Sequence, residues 1–65
     1  MIFYAYFENE DDFGKYRRTF GFRTEAAREQ WVRAEMRLAA AADDFSDLEE
    51  WEAEESEWPH VRIIG

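Results

Sequence analysis

Nine carboxylates fall within residues 43–57: Asp43, Asp44, Asp47, Glu49, Glu50, Glu52, Glu54, Glu55 and Glu57, with no lysine or arginine among them. Carboxylates in such number can ligate a cation, share a proton in general acid–base chemistry, or present charge to a basic partner. Acid–base work needs one carboxylate lifted in pKa by an apolar pocket, and no apolar run encloses any of these. Ser46 or Ser56 with His60 and an acid has the composition of a triad, but triads are recognised by geometry, not by order along a chain. His60 follows Pro59 and reads as a surface or filler residue. Asn9-Glu10-Asp11-Asp12-Phe13-Gly14 echoes the start of an EF-hand loop. Phe13 and Phe20, however, stand where that loop requires oxygen ligands. The chain has no cysteine and a single histidine, which leaves no thiolate site and no set of zinc ligands. No catalytic residue, metal or cofactor is expected, and the chain does not read as an enzyme.

The third use of the carboxylates fits the charge distribution. Residues 1–37 hold seven acids and seven bases, whereas residues 38–65 hold nine acids and the single base Arg62. The formal charge of −8 therefore belongs to the C-terminal part of the chain. Like charges packed this closely oppose compaction, so they form either a solvated face or a surface aimed at something basic. An anionic surface also argues against direct binding to nucleic acid or acidic lipid.

The elements that must position these acids belong to a single domain over residues 1–65, since the length leaves no room for a second. A core of this size stabilises a fold by about 3–5 kcal/mol. Three tryptophans, three tyrosines and six phenylalanines supply it in place of disulfides or metal. The 46% hydrophobic content excludes disorder for most of the chain. The run Ile2–Phe7 is too short to cross a membrane, lacks a basic n-region, and meets Glu8-Asn9-Glu10-Asp11-Asp12. The expectation is a soluble monomer in the cytoplasm of a bacterial cell. Its single lysine against seven arginines suits a GC-rich bacterial or phage genome.

Ile2–Phe7 reads as a strand and Glu8–Gly14 as a turn. Lys15–Phe22 reads as a second strand, with Tyr16, Phe20 and Phe22 on one face. Thr24 is a helix N-cap, and the helix runs to about Ala42. Ala27, Trp31, Ala34, Leu38 and Ala41 form its buried stripe, and Glu25–Arg28 and Glu29–Arg33 pair on its solvent side. Ser46-Asp47-Leu48-Glu49 matches a capping box, so a second helix is predicted from Ser46. Pro59 ends it, and His60–Ile64 reads as a last strand. The fold class is α+β: a small antiparallel sheet, made of the N-terminal hairpin and the C-terminal strand, with helices on one face in the order ββααβ.

On that second helix Asp43, Asp47, Glu50, Glu54 and Glu57 recur at steps of four and three, which makes a continuous acidic stripe. Helix neighbours at these steps stand roughly 5–6 Å apart at Cβ, close to the separation of successive phosphates on a nucleic-acid strand. Trp51 and Trp58 sit among the acids, and aromatics flanked by charge are common interface anchors.

In compact length, strong acidity, absence of cysteine and the block from Asp43 to Glu57, the chain resembles the small acidic anti-CRISPR proteins of phages and mobile elements. The likeness is to those acting on type I surveillance complexes. It covers the whole chain in character and rests on no signature motif. It implies an inhibitor that binds a basic CRISPR effector subunit and blocks target-DNA recognition. Asp43, Asp44, Asp47, Glu49, Glu50, Glu52, Glu54, Glu55 and Glu57 would stand in for phosphates, with Trp51 or Trp58 as anchor. The alternative is a non-mimic interaction module, antitoxin-like or regulatory, that uses an aromatic patch around Trp51 and Trp58.

Overall fold

A computed structural model describes residues 1–42 and 45–65; the side chains of Asp11, Phe45 and Ser46 also lie outside the description. The elements are β1 (Ile2–Asp11), β2 (Gly14–Phe22), α1 (Glu25–Ala42), β3 (Phe45–Ala53), a 3₁₀ turn at Glu55–Glu57, and β4 (Arg62–Ile63). They build an α+β fold with one four-stranded sheet in the order β3-β1-β2-β4. β1 pairs antiparallel with β2 and β3, whereas β4 pairs parallel with β2, so the sheet is mixed.

The hairpin is longer than expected. Glu8–Asp11 continue the ladder instead of turning, and the reversal is confined to Asp12 and Phe13. Charged residues sustain it, because Glu8 stands opposite Arg17 and Glu10 opposite Lys15, and opposite charges across a ladder favour pairing. Gly14 closes the turn at φ 135°, a conformation that side chains disfavour. The segment read as an imperfect calcium loop is thus mostly strand.

Thr24 caps α1 as expected, its Oγ1 accepting from the Ala27 N–H at 3.1 Å. The buried stripe is rotated from the predicted one. Arg28 and Ala39 are buried and Ala27, Trp31, Val32 and Glu35 are half-buried, while Ala34, Leu38 and Ala41 are exposed. Arg28 does not pair with Glu25; it turns into the protein. Glu29–Arg33 forms as expected, at 2.6 Å.

The second helix does not form. Phe45–Ala53 is the strand β3, at the edge of the sheet. Two physical effects outweigh the capping box. On a helix the acids would stand beside one another at three- and four-residue steps and repel. On a strand they alternate between faces, where Arg28 neutralises one set, and the main chain of β1 gains its second partner. The last strand shrinks to Arg62–Ile63, joined to β2 and extended by the Ile64 N–H bonding to the Gly21 carbonyl at 2.9 Å. The order is therefore ββαββ with a single helix among the described residues.

The register assigns two faces. Phe3, Ala5, Phe7, Phe20 and Phe22 face α1, where Trp31 meets Phe7, Phe20 and Phe22 with ring centroids 5.3–6.1 Å apart. Ile2, Tyr4, Trp51 and Ala53 face the other way. There Trp58 and Val61 of the crossover between β3 and β4, with Ile63 of β4, pack against them. Tyr4 and Phe7, one on each face, are wholly enclosed.

Candidate functional site: an acidic sheet edge beside an aromatic groove

The acids of the 43–57 block do not form one stripe. Asp43 and Asp44 lie outside the described residues. On β3, Asp47 and Glu49 share a face with Trp51, while Glu50 and Glu52 share the opposite face with Leu48. Glu54 begins the crossover, and Glu55 and Glu57 lie in its 3₁₀ turn.

Pairing divides the acids further. The guanidinium of Arg28 lies 3.1 Å from Glu50 and 3.2 Å from Glu52. It also donates to the main-chain carbonyls of Tyr4 and Trp51, and it stacks over the Phe3 ring at 5.4 Å. Two carboxylates of the block are therefore spent on holding helix to sheet. Asp47, Glu49, Glu54, Glu55 and Glu57 make no ion pair among the described residues. They form the unneutralised part of the block among its described residues.

Glu8 belongs to the same face as Asp47 and Glu49 but is occupied. The Tyr6 hydroxyl donates to it at 2.6 Å, and Lys15 and Arg17 each approach to 3.7 Å. The Tyr6 hydrogen bond, with Arg17 and Lys15, holds its carboxyl below the usual glutamate value against the opposing effect of desolvation. The same hydrogen bond raises the Tyr6 hydroxyl.

Two depressions flank Trp58. One, of about 680 Å³, is lined by Tyr6, Thr19, Asp47, Glu49, Trp51 and Trp58 among others. The second, of about 490 Å³, is lined by Glu49, Glu50, Trp51 and Trp58. Glu49 and Glu50 lie on opposite faces, so this second depression sits on the outer rim of β3. Trp58 is 44% exposed, whereas Trp51 is half-buried and stacks on Tyr4 at 5.5 Å and 17°. Burial raises the Tyr4 hydroxyl above its ordinary pKa, and the nearby Glu55 and Glu57 charges add to the effect.

No family model, curated protein or solved structure matches the chain. Its chemistry must therefore be read from the site. Among the described residues no group of three or more histidine, cysteine or acidic side chains is placed to hold a metal ion. No described helix is long and apolar enough to cross a membrane. Of the residues expected to act together, the structure joins Asp47, Glu49, Trp51 and Trp58 around one groove. Glu52 lies apart from both depressions, and Glu50, on the opposite face of β3, reaches only the second, at the rim. Sequence reasoning missed Arg28 as the helix-to-sheet clamp and missed Tyr6 and Thr19 as lining. One signal for Arg28 was present: Arg28 and Glu35 flank Trp31 at helical spacing, a charged version of the buried stripe. Glu35 has its own partner on the sheet, Arg18 at 2.7 Å.

Proposed function

We propose that the protein is an acidic nucleic-acid-mimic inhibitor. It occupies the basic surface with which a DNA-binding protein holds phosphates, and so excludes the nucleic acid. The resemblance of the chain to small acidic anti-CRISPR proteins makes a type I surveillance complex the target to test first, with target-DNA binding as the blocked step.

One observation supports this reading above the others. Asp47, Glu49, Glu54, Glu55 and Glu57 are left without a base, although the same fold supplies Arg28 to Glu50 and Glu52, and Lys15 and Arg17 to Glu8. A surface built only for solubility mixes signs, as the Glu29–Arg33 pair does on α1. Alternate residues on a strand such as Asp47 and Glu49 repeat at about 6.5 Å, again near the spacing of successive phosphates. Complementary fields of this kind give fast, salt-sensitive association.

The exposure of Trp58 favours a second reading, an interaction module anchored on its aromatic patch. The two differ in salt dependence, since apolar anchoring resists screening and charge pairing does not. The deciding experiment is capture of type I surveillance complexes from lysate by the tagged protein, followed by a target-DNA binding assay. Capture of a complex that no longer binds DNA, relieved by Glu49→Lys with Glu54→Lys, supports mimicry. Undiminished capture by that double variant overturns it.

A further inference from the structure

We infer that the basic partner docks on the open edge of β3 as an added strand: an extended segment with lysine or arginine at alternate positions, bonded main chain to main chain. This rests on the reading of the acidic surface as a partner site and specifies how that site is used.

β3 runs nine residues and is bonded only to β1. Among the described residues, no bond from main chain to main chain outside the ladders begins or ends on it, and the Trp51 carbonyl accepts from the Arg28 side chain. A strand bonded on one side presents a row of N–H and C=O groups, which an extended peptide can complete. The opposite edge strand, β4, has only two residues.

Charge selects the occupant. A second copy pairing edge to edge through β3 would set acids against acids. The rest of the β2 edge, Gly14–Thr19, carries Lys15, Arg17 and Arg18, but these bases are engaged with Glu8 and Glu35 inside the chain. A copy could offer these bases only in competition with its own Glu8 and Glu35, and the charge of −8 on each molecule opposes their approach. A basic segment meets neither obstacle.

The two faces of β3 then set the pattern. Arg28 neutralises Glu50 and Glu52 on the helix side, while Asp47 and Glu49 on the other side have no base. Residues of an added strand alternate between the same faces, so one set must be cationic and the other need not be. The rim depression beside Glu49 and Trp58 receives one of the cationic side chains, with its stem on the indole and its charge over the ring.

The test uses the full chain and a heptapeptide alternating arginine and threonine. Two further peptides carry N-methyl groups on the arginine or on the threonine nitrogens, which keeps the charge and removes alternate donors. Binding is followed by tryptophan fluorescence and by amide hydrogen exchange of β3. One methylated form is expected to bind about tenfold or more weakly and the other like the parent, because only one set of N–H groups faces β3. The parent peptide is expected to slow exchange in β3. Equal behaviour of the two methylated forms, an unprotected β3, or no binding of the parent overturns strand addition. The acidic-surface reading is judged separately, by target capture with Glu49→Lys and Glu54→Lys. Protection of β3 amides that rises with protein concentration alone would identify a second copy as occupant and also overturn the inference.

Discussion

Arg28 Nε lies 3.1 Å from Glu50 Oε2, and this pair ties the helix to the acidic edge of the sheet. The guanidinium is buried, with its side chain 8% exposed, while Glu50 remains 39% exposed. The cation is thus nearly desolvated and depends on its partners, whereas the carboxylates can regain water.

Removing Arg28 tests that dependence. Arg28→Ala strips the donors from two carboxylates and two carbonyls and uncovers Phe3. It is expected to cost about 2 kcal/mol, less than a fully buried pair because the acids stay partly hydrated. In so small a domain that lowers Tm by roughly 10 °C. Arg28→Lys is expected to recover only part of it, since an ammonium cannot reproduce the fork. Thermal unfolding followed by circular dichroism measures both; an unchanged Tm in Arg28→Ala contradicts the clamp.

Gly21 supplies a packing prediction. A Cβ there would stand 2.9 Å from Ile2 Cγ2, 3.0 Å from Tyr4 Cε1 and 3.2 Å from Ile63 Cγ1. Gly21→Ala therefore overpacks the face that carries Tyr4 and is expected to destabilise by about 1–3 kcal/mol. Chemical denaturation gives the value, and a neutral or stabilising result shows that the β4 segment can yield.

Glu8 and Tyr6 predict a pH dependence. The folded protein holds Glu8 below its ordinary pKa, chiefly through the Tyr6 hydroxyl. A lowered carboxylate pKa contributes stability above the unfolded value, and that contribution is lost as pH falls through the folded value. Tyr6→Phe removes the donor, so its stability deficit relative to the parent is expected near neutral pH and should shrink once Glu8 is protonated. Parallel denaturation curves from pH 7 to pH 3 show whether the gap closes; a constant gap assigns the effect to packing.

Glu49→Lys with Glu54→Lys changes the net charge from −8 to −4 without touching an ion pair of the described residues. Its stability is expected to stay within about 0.5 kcal/mol of the parent or rise slightly. Glu50→Lys, which helical spacing also suggests, is expected to destabilise because it sets a cation against Arg28. Comparing the unfolding of the two variants separates acids that serve binding from acids that serve the fold.

Trp58→Ala separates the same roles for the aromatics. Trp58 is 44% exposed, so its loss is expected to cost less than the roughly 3–5 kcal/mol of a fully buried aromatic. Trp31→Ala, which removes a half-buried ring and its contacts to Phe7, Phe20 and Phe22, is expected to cost more than Trp58→Ala. A Trp31→Ala variant as stable as Trp58→Ala contradicts this account of the core.

Local signals carried part of the fold. The aromatic run of β1, the alternation of β2 and the Thr24 cap each act within a few residues, so they are legible in the chain. The concentration of acid in residues 43–57, and the presence of Trp51 and Trp58 within it, are likewise properties of the sequence itself. The helix-or-strand choice for Phe45–Ala53 was not. Ser46-Asp47-Leu48-Glu49 carries a helix start signal, and no apolar alternation announces a strand. The decision belonged to partners far away in sequence: the open side of β1, and Arg28, 22 residues from Glu50 and 24 from Glu52. Composition thus determined that this protein presents unbalanced negative charge. Only tertiary pairing decided which carboxylates remain free to present it, because neutralisation depends on distances of a few ångströms that the order of residues does not contain.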